Sequence, residues 1–353
     1  MTIIYFLLLM TVIIVIHEFG HLVAAKFFGV YCYEFSFGMG PLLLKKQGKE
    51  TQYSIRALPI GGFVAMAGET QDEEAYKDIE VPEDRRLNNK VWWQKIIIML
   101  AGVTMNFILA FVIFSLTVLS NGAYSYSPKA EIGSIVPGSP AEQAGLQVGD
   151  VIVEIGKDNG DRYSPKTYED MQTFFIAYEG VETYVVDRNG QQFTFEIQPE
   201  FNEETKMYLI GIQSNEPEIV PVNFLNCWKY GILSMGSMTK MMLKTLAALF
   251  TGQGLNQLSG PVGIYQATGE YAQYGLLVFM QLIGLLSLNI GIFNLLPLPV
   301  LDGGQVVITL VEAALGREIN GKLKTAVMAA CWVLLIGLML FVTWNDIMRI
   351  IGG

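Results

Sequence analysis

His17-Glu18-Phe19-Gly20-His21 lies inside an apolar N-terminal run, Met1 to Phe28, that otherwise reads as a membrane span. Residues four apart share one face of a helix, so both imidazoles can point at one metal ion. Glu18, beside the first of them, is then placed to take a proton from a water that the metal activates. His17 and His21 are the only histidines in the 353 residues. Two histidines and a glutamate at membrane depth cost several kcal/mol unless something uses them. Reading them as two satisfied core histidines leaves that cost unexplained. The pattern is a metal site, and it sits in a membrane.

Four apolar segments are long enough to span. They run from Thr2 to about Phe28, from Ile96 to Leu119, from Leu276 to Leu301 and from Ala326 to Trp344, the last with Trp332 and Trp344 as interface anchors. With 52% hydrophobic and 16% charged residues the chain is too apolar for an ordinary soluble protein, and too charged to lie wholly in lipid. A net charge of −10 argues against nucleic acid as a partner. Cys32, Cys227 and Cys331 are odd in number and far apart, so they suggest neither a disulfide framework nor a thiolate metal site. No basic region precedes the first apolar run and no small-residue cleavage site follows it, so the first span is expected to stay in place.

The stretch Lys26 to Lys95 carries ten Lys and Arg, and Arg317, Lys322 and Lys324 lie between the third and fourth spans. The positive-inside rule therefore puts these connections in the cytoplasm, both termini outside, and 121–275 on the extracytoplasmic side.

Between the spans the pattern changes. Tyr31 to Phe37 alternates aromatic with small or polar residues, Gly38, Gly40 and Pro41 break it, and 42–57 reads as a hairpin turning at Gln47-Gly48-Lys49. A hairpin against the membrane face is expected, because bare strand edges cannot face lipid. The acidic stretch Gln71 to Asp84 reads as a loop. From 131 to 200 come strand, Ser139-capped short helix, strand, a longer helix over about Thr167 to Tyr178, and a hairpin turning at Arg188-Asn189-Gly190. With its Gly-Ser-Pro-Ala, Ala-Gly-Leu and Gly-Asp-Val-Ile runs, this module resembles a PDZ domain, a class that binds peptides by strand addition. Phe224 to Phe250, Met-rich with three lysines, suggests an amphipathic helix on the outer membrane face, and Leu258 to Ile264 a loop of breakers. The expected boundaries are 1–30, 31–94, 95–120, 121–202 for the PDZ module, 203–274 for a linker and surface helix, 275–301, 302–325 for a cytoplasmic loop, and 326–348.

Two histidines need a third protein ligand, with one position left for water. The candidate is Asp302, which closes the 26-residue uncharged run of the third span among Pro297, Pro299, Gly303 and Gly304. A helix cap at a membrane boundary is the other reading of this aspartate. In the second span Gly102, Asn106 and Ala110 line one face, where small residues allow close helix approach. Asn106 either bonds a neighbouring helix or faces the site.

These features together resemble the site-two protease family of intramembrane zinc metalloproteases, and within it the bacterial regulator-of-sigma-E protease branch. The carriers are the HEFGH motif, the Gly102/Asn106/Ala110 face, Leu301-Asp302-Gly303, the PDZ-like module and Ser259-Gly260-Pro261-Val262-Gly263, over essentially the whole length. The resemblance implies a multi-pass α-helical membrane protein with four transmembrane helices, a membrane-associated β-hairpin and an inserted α+β PDZ domain. It implies Zn2+ held by His17, His21 and Asp302, Glu18 as general acid–base, and Asn106 in substrate or oxyanion contact. It also implies a cell-membrane enzyme whose partners are the lipid bilayer and single-span membrane proteins such as anti-sigma factors or signal-peptide remnants. The hairpin would pair with substrate as an added strand. Where well-studied proteobacterial members carry two PDZ modules this chain has room for one, and Gln305 stands where some relatives have His. The competing class is a PDZ-based membrane scaffold or peptide sensor with a structural metal.

Overall fold

The structure is a computed structural model that describes residues 1–69, 76, 78–158, 160–168, 170–171, 180–202, 207–250 and 259–352. The chain divides into two units, Met1–Ser120 with Asn223–Gly353, and Asn121–Val222.

The first unit opens with α1 (Thr2–Phe27), β1 (Cys32–Gln47), β2 (Gln52–Met66) and α2 (Trp92–Asn121). The expected strand and the expected hairpin are one element. β1 and β2 are long, bent strands whose register gives four rows. Phe35 and Ser36 pair with Val64 and Phe63 on one side and with Tyr53 and Ser54 on the other. Beyond them Leu44, Lys45 and Lys46 pair with Ile55, Ser54 and Tyr53. The rows therefore run 62–66, 32–37, 52–56, 42–47. Gly38 makes the first bend at φ 82°, where a Cβ would meet the Leu58 and Arg56 carbonyls. Glu34, buried between inner rows, accepts from the Ser54 and Tyr76 hydroxyls and from Arg56 Nη2 at 2.8 and 3.0 Å. Burial alone would raise this carboxyl, but these donors hold it below the usual range. Of Gln71 to Asp84, residues 71–75 and 77 lie outside the described residues.

The second unit runs β3 (Ala123–Ser125), β4 (Ile132–Ile135), α3 (Pro140–Ala144), β5 (Val151–Lys157), β6 (Arg162–Tyr163), β7 (Glu182–Arg188), β8 (Gln191–Ile197), β9 (Glu200–Asn202), β10 (Met207–Leu209), β11 (Ile212–Ser214) and β12 (Ile219–Pro221). Its central sheet has the order β6-β5-β7-β8, over a core of Ile132, Ile152, Ile155, Tyr184, Val186 and Ile197. Ser139 caps α3, with Pro140 at its first position and Gly145 left-handed at its end, as expected. Asp150 is buried against Arg188, with both nitrogen–oxygen contacts at 2.7 Å. Burial would raise its carboxyl, yet Arg188 and the Gln147 N–H hold it below the ordinary range. The module does not close at 202, because β11 pairs with β4 and β12 with β3. Most of the expected Thr167–Tyr178 helix, 172–179, lies outside the described residues.

Back in the first unit come α4 (Cys227–Phe250), α5 (Pro261–Gln273), α6 (Leu276–Asn294), α7 (Asp302–Leu315) and α8 (Gly321–Gly352). Four helices are long and apolar enough to cross a membrane: α1, α2, α6 and most of α8. α4 does not stand apart from them as a surface helix. Trp228 packs on Phe111, a Cβ on Gly231 would overlap Ser115, and Met235, Met238 and Met242 pack with Ala110, Phe114, Leu288 and Ile292. Three expectations in this half change. The breakers Gly260 and Pro261 do not make a loop but start α5, as N-cap and first residue. The third span ends at Asn294, not Leu301. The stretch expected as a loop from 302 begins with α7, because Gly303 and Gly304 let the 295–301 turn fold onto the helix start. Asp346 on α8 is buried and accepts the N–H groups of Gly260 and Gly263 at 2.9 and 2.8 Å, tying α8 to α5.

Candidate metal centre

The site forms where α1, α2, α7 and the β1–β2 sheet meet. α1 and α2 touch backbone to backbone, since a Cβ on Gly20 would overlap the Ala101 carbonyl and lie 2.9 Å from Gly102 Cα. This contact brings α2 against the face of α1 that carries His17 and His21, both buried. The unwinding of the chain at 295–301 then sets Asp302 at the first position of α7, with no side-chain cap on that helix. The cap reading of Asp302 therefore falls away.

Its Oδ2 lies 3.2 Å from His17 Nε2 and 3.6 Å from His21 Nε2, and the two Nε2 atoms are 3.2 Å apart. Around a tetrahedral ion with bonds of about 2.0–2.1 Å, neighbouring ligand atoms sit roughly 3.3 Å apart. Three donors converging at that spacing fit such an ion. The Asp302 Oδ2 is buried without a hydrogen-bond donor of its own, which a cation would remedy. A Cβ on Gly102 would overlap His21 Nε2 and lie 2.9 Å from His17 Cε1, so glycine keeps the space beside the donors open. Among the described residues these three are the one group of His, Cys, Asp and Glu able to hold a metal.

Glu18 is held from the sheet. The Val64 backbone amide faces its carboxylate, and a Cβ on Gly62 would lie 3.5 Å from its Cγ. The 62–66 row is thus the sheet edge nearest the base, while Tyr53 and Ile55, within the hairpin expected to pair with substrate, sit in an inner row. The Asn106 side-chain amide lies 3.2 Å from His17 Nδ1 and is fully buried, and the Asn106 backbone carbonyl accepts from Ser287 Oγ at 3.0 Å. Its side chain thus reaches the His17 ring on α1, while the link to Ser287 on α6 is made by its backbone. Gln305 donates to the Pro299 carbonyl and locks the turn before α7. Gly20, Gly62, Val64 and the Ile98 carbonyl, which accepts from His21 Nδ1 at 2.8 Å, were not marked by sequence patterning. Only Gly20 carries a signal there, as the small residue inside the motif.

The model of Peptidase family M50 matches residues 5–338. The chain belongs to peptidase family M50. Similar chains include a Clostridium acetobutylicum protein named among zinc metalloproteases, 37% identical over 343 residues, covering 95% of this chain and 94% of the relative. One from Clostridium perfringens, similarly named, is 34% identical over 350 residues and 98% of each chain. The Enterococcus faecalis protein named protease Eep is 29% identical over 428 aligned positions, with 99% of each covered. An M50 peptidase with four such apolar helices is a multi-pass membrane protein.

Proposed function

We propose that this chain is a zinc-dependent intramembrane endopeptidase that cuts single-span membrane proteins, the class that includes anti-sigma factors and signal-peptide remnants. What carries the reading is the convergence of His17, His21 and Asp302 behind Gly102, with Glu18 held beside them. His17 and His21 would hold zinc through Nε2 and Asp302 through Oδ2. Bound there, zinc supplies a Lewis acid that polarises the scissile carbonyl and acidifies water. Glu18 takes the proton of the attacking water as its oxygen joins the scissile carbonyl carbon. It then hands that proton to the amine as the C–N bond breaks. The 62–66 row, packed against Glu18, would keep the carboxylate in place while it does so. With three protein donors, one position stays open for this chemistry, whereas a structural site would be closed by a fourth.

A substrate helix satisfies its own amides, so it must unwind before attack and needs replacement backbone partners. The 62–66 row offers them at its outer edge, where Gly62 and Val64 face the same way by the two-residue period of a strand. Gly62→Pro should lower cleavage with zinc content unchanged, while Gly62→Ala should lower it less, because only proline removes the donor. Equal losses in both would leave this edge a packing role.

The PDZ-like module would admit or screen substrates from the extracytoplasmic side, and the metal would open toward the cytoplasm. In a chain with its own cysteines replaced, a cytoplasm-only thiol label should modify a cysteine at Lys49 and spare one at Asp158; the reverse pattern would invert the topology. The metal assignment is tested by zinc content. His17→Ala, His21→Ala and Asp302→Ala should each fall well below one per chain, with cleavage of a co-expressed single-span protein lost in parallel. Full occupancy in Asp302→Ala would remove that residue from the set. Asp346→Ala is no neutral control here, since it frees the buried N–H groups of Gly260 and Gly263 and should destabilise by about 1–3 kcal/mol.

A further inference from the structure

Both imidazoles turn Nε2 toward Asp302, and both turn Nδ1 toward α2. His21 Nδ1 meets the Ile98 carbonyl, and His17 Nδ1 meets the Asn106 side chain two helical turns further on. A neutral imidazole that binds a cation through Nε2 carries its proton on Nδ1. The group facing Nδ1 must then be an acceptor, and such outer partners set both tautomer and ring orientation. The Ile98 carbonyl meets this requirement. At His17 it is Nδ2 of Asn106 that lies toward Nδ1, which would set donor against donor, while Oδ1 is buried with no hydrogen-bond partner. The two ends of an amide have the same shape, so a half-turn exchanges them without moving a neighbour. That one rotation gives Nδ1–H an acceptor and Oδ1 a donor.

We infer that Asn106 is a positioning residue for His17: its Oδ1 accepts the Nδ1 proton and fixes Nε2 on the metal, as the Ile98 carbonyl does for His21. This rests on the zinc reading above and deepens it. α2 then orients both histidines, with Gly102 between the two acceptors giving room for the rings. The role differs from oxyanion contact, which needs an N–H on Asn106, whereas positioning needs an oxygen. The two roles are separated by variants that keep one atom type.

The experiment is zinc affinity of the full-length detergent-solubilised chain, by chelator competition, with cobalt absorption as a second readout of ligand geometry. Asn106→Leu keeps the volume and removes the acceptor; it should weaken zinc binding by about 10–100-fold and change the cobalt spectrum. Asn106→Asp keeps the acceptor and should bind zinc at least as well as wild type. If the Leu chain does not accumulate, Asn106→Ala takes its place with the same expectation. Wild-type affinity in Leu or Ala overturns the inference, as does an equal loss in Asp, which would mark a packing role only. Wild-type affinity in His17→Ala would instead overturn the zinc reading itself, so the two failures are distinguishable.

Discussion

Glu18→Gln is expected to retain zinc, thermal stability and membrane insertion while cleavage of a single-span substrate falls by about 10²–10⁴-fold. The geometry makes this a clean test. Glutamine has the shape of glutamate and still packs against the 62–66 row, so the side chain keeps its place beside the histidines. What it loses is the capacity to take a proton from water and return it to the departing amine. Both halves of the reaction use that capacity, so the loss should appear in kcat, with little change in KM. Turnover near wild type would remove Glu18 from the chemistry and leave the sheet contact as its only role.

Gly102→Ala should abolish metal loading by a different route. Alanine in a helix interior ordinarily stabilises by roughly 0.5–1 kcal/mol over glycine, so helix propensity predicts a mild gain. At this position the added methyl overlaps His21 Nε2 and lies 2.9 Å from His17 Cε1. Neither ring can withdraw easily, because each is buried and Nδ1 of each is engaged by α2. The donors must shift, and displacements near 1 Å at such centres cost on the order of 10²-fold in rate. The expected outcome is zinc well below one per chain, cleavage at background, and a metal-free melting temperature close to that of wild type. Gly236→Ala on α4, where a Cβ meets nothing within 4 Å, is the matched control and should load normally. Full zinc occupancy in Gly102→Ala would mean the rings sit elsewhere when the ion is bound.

Much of this site was readable from residues because its chemistry is carried by rare side chains at telling intervals. His17 and His21 had to share a helix face, and Asp302 was conspicuous as the acid ending an uncharged run. The remainder is written in backbone, where residue names are silent. The Ile98 carbonyl and the Val64 N–H would be present whatever side chains stood there. The alternation from Tyr31 onward signalled strands, yet it could not say that 52–56 would be sandwiched between two other rows. That order depends on pairing between residues distant in sequence, and it moved Tyr53 and Ile55 from an edge to the interior. Gly260-Pro261 and Asp302-Gly303-Gly304 read as loops for one reason: residues that break a helix also begin one. Nothing in the sequence marks Asp346, near the end of the last span, and its task only emerges once α8 meets the start of α5.

The packing of Glu18 against the 62–66 row has a bearing on how this machinery could be rebuilt. The histidines travel with α1, their orienting acceptors with α2 and Asp302 with α7, so these three helices grafted together into a different membrane scaffold would carry the ion-holding part intact. It would arrive with its proton carrier unaimed, because the row that steadies Glu18 comes from a sheet stitched together around Glu34 and Arg56. Such a chimera should bind zinc and cut nothing, and activity should return only when the whole of residues 32–66 is transplanted with the helices.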